Sequence, residues 1–293
     1  MILLWALLAQ SEECPALLDR GRKAYEAREF VRAVGEFERA LPVCRNRGQV
    51  LLALGQAQLV AQRIEASIAT LREATALEPR DALAHKLLGD ALYLSGQEIE
   101  AEKFFKAALA IDSRHEATLY ALGRVYYQQK RYPEAVRQFQ KVLEQNPESY
   151  RAHDNLALCY DALRQDSDAL RHFFKALDLV HKDHPEYDWA YANLADFYLR
   201  RDQYEKAFHL AAEAAHRNPE SARNCFLTGK ALVRLDKQEL SLRWLQQAVR
   251  LDPSYAEARY LLAQVYRKLG REEEALQELE KFRELREEPR PRR

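Results

Sequence analysis

The sequence predicts an all-α solenoid built from one helical hairpin repeated along the chain, and three observations predict it. The 293-residue chain comes into register with itself when shifted by 34 residues. Inside each period, apolar residues recur at three- and four-residue spacing over two stretches separated by a polar break, the pattern of two one-sided helices. No segment sustains the alternation of β-branched and polar residues that marks a strand.

The clearest unit runs from Glu116 to Ser149. Leu119, Leu122, Val125 and Tyr126 form one stripe, and Gln129-Lys130-Arg131 breaks it. Pro133 then falls where a second helix begins, a place that needs no backbone N–H donor. Ala135, Val136, Phe139, Val142 and Leu143 form the second stripe, which Asn146-Pro147 ends. A single hairpin of this kind cannot bury both of its apolar faces, so it requires neighbours. They are found at 14–47, 48–81, 82–115, 150–183, 188–221, 222–255 and 256–289, which with 116–149 makes eight units. A four-residue insertion, His184 to Tyr187, separates the fifth from the sixth.

Position 8 of the repeat is always Gly or Ala (Gly21, Gly55, Gly89, Gly123, Ala157, Ala195, Gly229, Ala263). Position 20 is always Ala or Ser (Ala33, Ser67, Ala101, Ala135, Ala169, Ala207, Ser241, Ala275). Small residues at both places predict close approach of the paired helices, where added volume would force them apart. Position 24 is large and apolar in seven units: Phe37, Leu71, Phe105, Phe139, Phe173, Leu245 and Leu279. Pro79, Pro147, Pro219 and Pro253 close four units, and Gly96 and Gly270 sit at position 15 as turn glycines.

This pattern resembles the tetratricopeptide repeat family, carried in the best unit by Leu122, Gly123, Tyr126, Ala135, Phe139 and Pro147. The resemblance covers nearly the whole chain after residue 13. It implies a right-handed superhelical solenoid of helix-turn-helix tetratricopeptide repeats. Departures are local: Ala24, Gln58 and Leu92 replace the tyrosine that follows the first-helix glycine, and Ala211 replaces the large residue of the sixth unit.

Length alone suggests about two domains. The repeat instead predicts a single solenoid over 14–289, since stacking needs no closed core. The 45 basic and 45 acidic residues cancel. That balance argues against a nucleic-acid binder, whose footprint is a basic excess. Residues 1–13 form a short apolar leader. Its run Ile2 to Ala9 is far below the ~20 residues that a membrane-spanning helix needs. Length and position suit a short secretory signal cut near Ala9 or Gln10, although no Lys or Arg precedes the run. The other reading is a helix that caps the first repeat or an anchor that stays attached. Export places the protein in a periplasm or secreted; without it the protein is cytoplasmic.

Cys14 and Cys44 occupy positions 1 and 31 of the first unit, where the start of one helix meets the end of its partner. A disulfide there would staple the terminal hairpin and fit an oxidising compartment; two ordinary small residues at a helix end is the other reading. Cys159 and Cys225 are two repeats apart and read as buried packing. The last helix is charged outside Ala275, Leu276, Leu279 and Phe282, as a terminal repeat must be. Residues 290–293 are a short basic tail.

In the family the first helices line a concave groove, and the resemblance implies that repeat positions 2, 5, 9, 12 and 13 face it. Tyr93, Tyr120, Arg124, Tyr127 and Arg151 then face the groove in the first five units. Trp189, Arg200, Phe226, Lys230, Arg234 and Tyr260 face it toward the C-terminus. Aromatic residues and arginines are what partner-binding surfaces concentrate. The basic tilt from Arg200 onward fits a protein or peptide ligand with an acidic stretch. Asn155 and Asn193 hold position 6 of consecutive units, where family members that clamp a chaperone's C-terminal carboxylate carry an asparagine. Tyr120, Arg124 and Trp189 stand where that clamp needs other residues, so the clamp is incomplete. The two asparagines are assigned instead to the backbone of an extended peptide.

No nucleophile elbow, HExxH, phosphate-binding loop or dinucleotide fingerprint is present, and the eight histidines are scattered. The pair His181 and His184 lacks a further ligand at metal-binding spacing. The expectation is therefore a non-enzymatic interaction scaffold in envelope or secreted assembly, without cofactor, metal or transmembrane segment. The alternatives are an RNA-reading helical repeat and a self-associating subunit such as a homodimer.

Overall fold

The computed structural model describes the backbone of residues 2–184 and 186–287, and side chains from Glu13 onward other than Lys182. The basic tail 290–293 and the end of the eighth repeat lie outside the described residues. Sixteen helices and no strand are found among those described. The chain divides into two compact units, one ending at Gln145 and the other beginning at Asn146.

The N-terminal unit holds α1 (Ile2–Glu26), α2 (Phe30–Ala40), α3 (Arg47–Val60), α4 (Ile64–Leu77), α5 (Ala82–Leu94), α6 (Glu98–Ile111), α7 (Glu116–Gln128) and α8 (Tyr132–Gln145). The C-terminal unit holds α9 (Tyr150–Ala162), α10 (Asp166–Asp183), α11 (Trp189–Leu199), α12 (Tyr204–Arg217), α13 (Ala222–Arg234), α14 (Gln238–Leu251), α15 (Ala256–Lys268) and α16 (Glu272–Glu287). Every second helix starts at position 17 of its repeat, so the 34-residue register holds through all eight hairpins.

The turn inside each hairpin has one chemistry. Position 15 has positive φ in every unit: Arg28, Gln62, Gly96, Lys130, Arg164, Asp202, Asp236 and Gly270, between 58° and 78°. The N–H of the next residue reaches back to the carbonyl of position 11, as in Arg131 to Tyr126 at 2.8 Å and Gln97 to Leu92 at 2.8 Å. This is the Schellman closure, which satisfies carbonyls that the helix end leaves open. The glycines expected at Gly96 and Gly270 are thus two instances of a conformation that six non-glycine residues also adopt, at a cost of about 1–2 kcal/mol each.

The first helix differs from the expected boundary. α1 is one helix of 25 residues that begins at Ile2 and runs through Pro15. Pro15 would suit the first turn of a helix starting at Cys14; inside a longer helix it removes one backbone hydrogen bond. No described helix is long and apolar enough to cross a membrane. Cys14 and Cys44 are bonded, with Cα atoms 5.1 Å apart, joining α1 to the segment after α2.

The core of five hairpins is a large side chain lodged over a missing one. A Cβ built on Gly123 would lie 2.7 Å from the Phe139 ring; Gly21 with Phe37, Gly55 with Leu71, Gly89 with Phe105 and Gly229 with Leu245 repeat this at 2.5–2.7 Å. Position 8 is therefore small because the position-24 side chain occupies its space. Position 20 is fully buried in all eight units. In the sixth unit, where Ala195 faces Ala211, bulk comes instead from α11: Tyr191, Phe197, Tyr198 and Leu199 are all buried, and Phe197 meets Phe173 edge-on at 5.5 Å. Gln58, in place of the usual tyrosine, is buried, and its Oε1 has no hydrogen-bond partner among the described residues.

Successive hairpins are tied by polar groups as well. His85 Nε2 contacts the Pro79 carbonyl at 3.0 Å, His153 Nε2 that of Pro147 at 3.0 Å, and Arg259 Nε that of Pro253 at 2.8 Å. All three donors hold position 4, and each proline belongs to the preceding loop. Pro79, Pro147 and Pro253 thus supply a carbonyl to the next repeat.

Gly123→Ala should lower stability by about 1–3 kcal/mol, because the new methyl overlaps the Phe139 ring. Adding Phe139→Leu should recover part of the loss, since Ala263 already coexists with Leu279 at these positions. Urea unfolding followed by circular dichroism measures both.

Candidate partner-binding faces

The inner face of the N-terminal unit is built by α5 and α7. Tyr93 is half-buried, and its hydroxyl accepts from Gln128 Nε2 at 2.6 Å and Arg124 Nη2 at 3.3 Å. The exposed Arg124 guanidinium also lies over the Tyr93 ring, 5.1 Å from its centre. Tyr120 turns its edge onto Phe139 at 5.6 Å, and Tyr127 meets Tyr132 at 5.5 Å. Of the four sequence-predicted residues here, Tyr93 and Arg124 are in direct contact, whereas Tyr120 and Tyr127 pack on α8. Tyr120 is partly committed to its own hairpin.

In the C-terminal unit, α11, α13 and α15 supply the inner face. A hollow of about 710 Å³ is lined by Arg200, Phe226, Lys230, Arg234 and Tyr260, together with Phe282 and Arg286 of α16. Its floor is aromatic: Phe226 packs on Tyr255 at 4.9 Å, and Tyr260, 45% exposed, on Phe282 at 5.2 Å. Its rim carries Arg200, Lys230, Arg234 and Arg286 against Asp202 and Glu257, so it is cationic but unevenly compensated. Arg200 is paired with Asp161 and Asp196, and Arg234 lies 3.7 Å from Asp202. Lys230 sits over the Phe226 ring at 5.7 Å and has no carboxylate partner among the described residues. Phe282 and Arg286 read from sequence only as part of a terminal cap; their place in the hollow follows from α16 packing on α15.

Three further predicted residues lie outside the hollow. Arg151 is exposed over the Tyr150 ring at 5.5 Å, and Asn155 donates to the Arg151 carbonyl at 2.8 Å. Trp189 is 53% exposed, with Arg223 over its ring at 5.1 Å.

Asn193 is placed differently from its neighbours. It is 5% exposed, and its Nδ2 donates to both carboxylate oxygens of Asp154 at 3.0 and 2.9 Å. Its Oδ1 accepts from Arg223 Nη2 at 2.9 Å. Tyr187, from the four-residue insertion, donates its hydroxyl to Asp154 at 2.9 Å. The amide is therefore used at both ends inside the protein, and Asn193 positions Arg223 beside Trp189. The insertion supplies a hydrogen bond that a strict 34-residue repeat would lack.

Burial pushes the Asp154 carboxyl up to about 6; the hydrogen bonds from Asn193 and Tyr187 and the nearby Arg223 charge recover only part of the lost solvation. Next to it in sequence, His153 points elsewhere. Its Nε2–H serves the Pro147 carbonyl, so its Nδ1 accepts from His172 Nδ1 at 2.9 Å. Burial, and then the adjoining His153, push His172 down to about 4. Among the described residues His153 and Asp154 share no third polar group. The described residues contain no group of three or more His, Cys, Asp or Glu that could hold a metal ion. Of the pair His181 and His184, His184 packs on the Tyr150 ring at 4.2 Å and His181 is exposed.

Stacked hairpins with Schellman turns, small residues against position-24 side chains, and an aromatic, cationic first-helix face define a helical-repeat solenoid of the tetratricopeptide class. Sequence profiles agree: "Tetratricopeptide repeat" matches residues 80–148, 120–186 and 256–289, and "TPR repeat" matches 229–270. The chain belongs to the tetratricopeptide repeat family, whose members mediate protein–protein contacts. It is similar to the type IV pilus assembly protein PilF of Pseudomonas aeruginosa, 29% identical over 58% of this chain and 68% of that one. It is also similar to Hsp70-Hsp90 organizing protein 3 of Arabidopsis thaliana, 24% identical over 72% of this chain but only 33% of that protein. The TPR repeat-containing protein YpiA of Bacillus subtilis is 26% identical over 70% of this chain and 56% of its own length. The chain thus spans a third to about two thirds of the lengths of these relatives. Among solved structures, a tetratricopeptide repeat protein from Parabacteroides merdae superposes with a TM-score of 0.72 at 18% identity, covering 87% of this chain and 99% of that one. At that identity the likeness is one of fold.

Asp154 ionises near 3.8 when unfolded but only near 6 when folded, so its contribution to stability falls as pH rises from about 4 to about 6. Asp154→Asn should match the wild type near pH 4 and exceed it by up to about 3 kcal/mol at pH 7.5. Urea unfolding at the two pH values tests this; a difference that does not grow with pH would mean that Asp154 is not ionised in a buried site.

Proposed function

We infer that the chain is a non-enzymatic interaction scaffold that holds an extended or helical segment of a partner protein, one with an acidic stretch. The observation that carries this reading is the hollow of about 710 Å³ on the C-terminal unit, where Arg200, Phe226, Lys230, Arg234 and Tyr260 converge. Aromatic rings supply apolar area at low entropic cost, and cations at the rim favour an acidic partner. Lys230 is the strongest anchor because no internal carboxylate competes for it among the described residues. Arg200 and Arg234 are already paired and contribute shape and field more than a free charge. Tyr93, Tyr120, Arg124 and Tyr127 offer the same chemistry on the N-terminal unit, Arg151 and Asn155 add polar contacts, and Trp189 adds an exposed ring held by Arg223. Asn193 acts by positioning that arginine.

The scaffold works outside the cytoplasm, in envelope or secreted assembly. Supporting this are the apolar leader, the bond between Cys14 and Cys44, and the likeness to a protein named for type IV pilus assembly. The leader is read as an export signal.

Cross-linked affinity capture from the source cell should recover a partner with the wild type. Lys230→Glu with Tyr260→Ala should reduce recovery by about tenfold or more while leaving the helical circular-dichroism signal intact. Unchanged recovery would remove the hollow from the binding site. Alkylation of the denatured, unreduced protein from the same cells should label Cys159 and Cys225 alone. Labelling of all four cysteines would place the protein in a reducing compartment.

A further inference from the structure

A second surface lies on the second helices of the C-terminal unit, away from the first-helix faces described above. A hollow of about 680 Å³ opens between α12 and α14. The repeat register explains why it exists here. Position 25 is a long polar residue or Phe in seven units (Glu38, Arg72, Lys106, Gln140, Phe174, Gln246, Glu280) and alanine only at Ala212. Ala215, one turn on, is small as well, so α12 presents a trough where its counterparts present side chains. Position 19 is charged in six units (Arg32, Glu100, Glu134, Asp168, Lys206, Glu274) and alanine in one (Ala66); at Leu240 it is a large apolar residue.

Leu240 is 57% exposed, and Trp244 stands one turn further along the same helix, lining the trough. Trp244 is half-buried against the cluster of Cys225, Ala248 and Ala258, while Leu240 keeps more than half of its surface in solvent, and such exposed apolar patches mark interaction sites. The edge of the trough is basic. Arg243 and Arg250 are exposed and have no carboxylate partner among the described residues, and His216 adds a titratable group. Elsewhere exposed arginines of this chain are commonly paired, as Arg171 is with Asp168 at 2.8 Å.

We propose that the α12–α14 trough is a second docking surface, independent of the inner face, for an acidic amphipathic helix of a partner protein. The partner's apolar side chain fills the space over Ala212 and Ala215 against Trp244 and Leu240, and its carboxylates meet Arg243 and Arg250. The charge of the rim selects an acidic partner, and the trough between two helices selects a helix, which lays one stripe into such a groove. Leu240 and Trp244 span one turn, about 6 Å of helix, so two turns of the partner suffice to engage them.

The test is fluorescence anisotropy with the full chain and a labelled synthetic helix of about 18 residues, leucine on one face and glutamate on the other. A twin peptide carries lysine for every glutamate. The glutamate peptide should bind about tenfold or more tightly than its twin, and added salt should weaken it. Measured in the Lys230→Glu, Tyr260→Ala background, which removes the acidic-ligand site of the inner hollow, Leu240→Glu, at an exposed position that leaves folding intact, should still lower that affinity by about tenfold or more. No binding, or equal affinity for the twins, would overturn the proposal. So would affinity that follows Lys230→Glu rather than Leu240→Glu, because the peptide would then occupy the inner face. Sedimentation that reveals a dimer dissolved by Leu240→Glu would assign the trough to a second copy of this chain and overturn it as well.

Discussion

The structure depends on one contact made again and again: the position-24 side chain of the second helix resting where the first helix has no side chain, or only a methyl. In five hairpins that space is a glycine, and a Cβ there would fall 2.5–2.7 Å from the opposing ring or leucine. Such a contact fixes how closely and in what rotation two helices meet, because interiors packed to solid density leave no slack for an extra methyl. Everything outward follows. Once the hairpin is set, positions 2, 5, 9, 12 and 13 of the first helix lie on one face, and positions 19 and 23 of the second helix point elsewhere.

The sixth repeat relaxes that contact, and its consequences reach both surfaces of the C-terminal unit. With Ala195 opposite Ala211, aromatic residues of α11 take over the core, and the buried residues of α12 are all alanine: Ala207, Ala211, Ala214 and Ala215. The same alanine-rich stretch leaves the trough beside Trp244. Immediately before it, the four-residue insertion brings Tyr187 onto the carboxylate of Asp154, so departures from the period cluster where the polar interior is richest. A buried carboxylate held by an amide and a phenol is poorly compensated for its lost hydration, which is why its ionisation moves toward neutrality.

The two faces differ in kind. The inner hollow has an aromatic floor, and most of its arginines are already paired, so it offers shape and a moderate field. The α12–α14 trough is lined by Trp244 and by Arg243 and Arg250, which have no carboxylate partner among the described residues, so it offers one aromatic anchor and stronger charge. Under the two proposals made above, surfaces of different chemistry would let one chain hold two partners at once.

The sequence by itself determined the fold class, the hairpin register and the faces of the helices. Those follow from local periodicity and from residue size at fixed positions, both readable along a line. Tyr93, Arg124, Phe226, Lys230 and Tyr260 were legible as face residues for that reason. Only the tertiary structure decided what each polar group does. Asn193 looks like a peptide-binding amide until Asp154, 39 residues away, and Arg223, 30 residues away, are seen to take both of its ends. The partnership of Cys14 and Cys44, the role of Tyr187 and the trough under Trp244 are of the same kind. Hydrogen bonds and cavities depend on distances between groups from different repeats, and a one-dimensional period does not carry those distances.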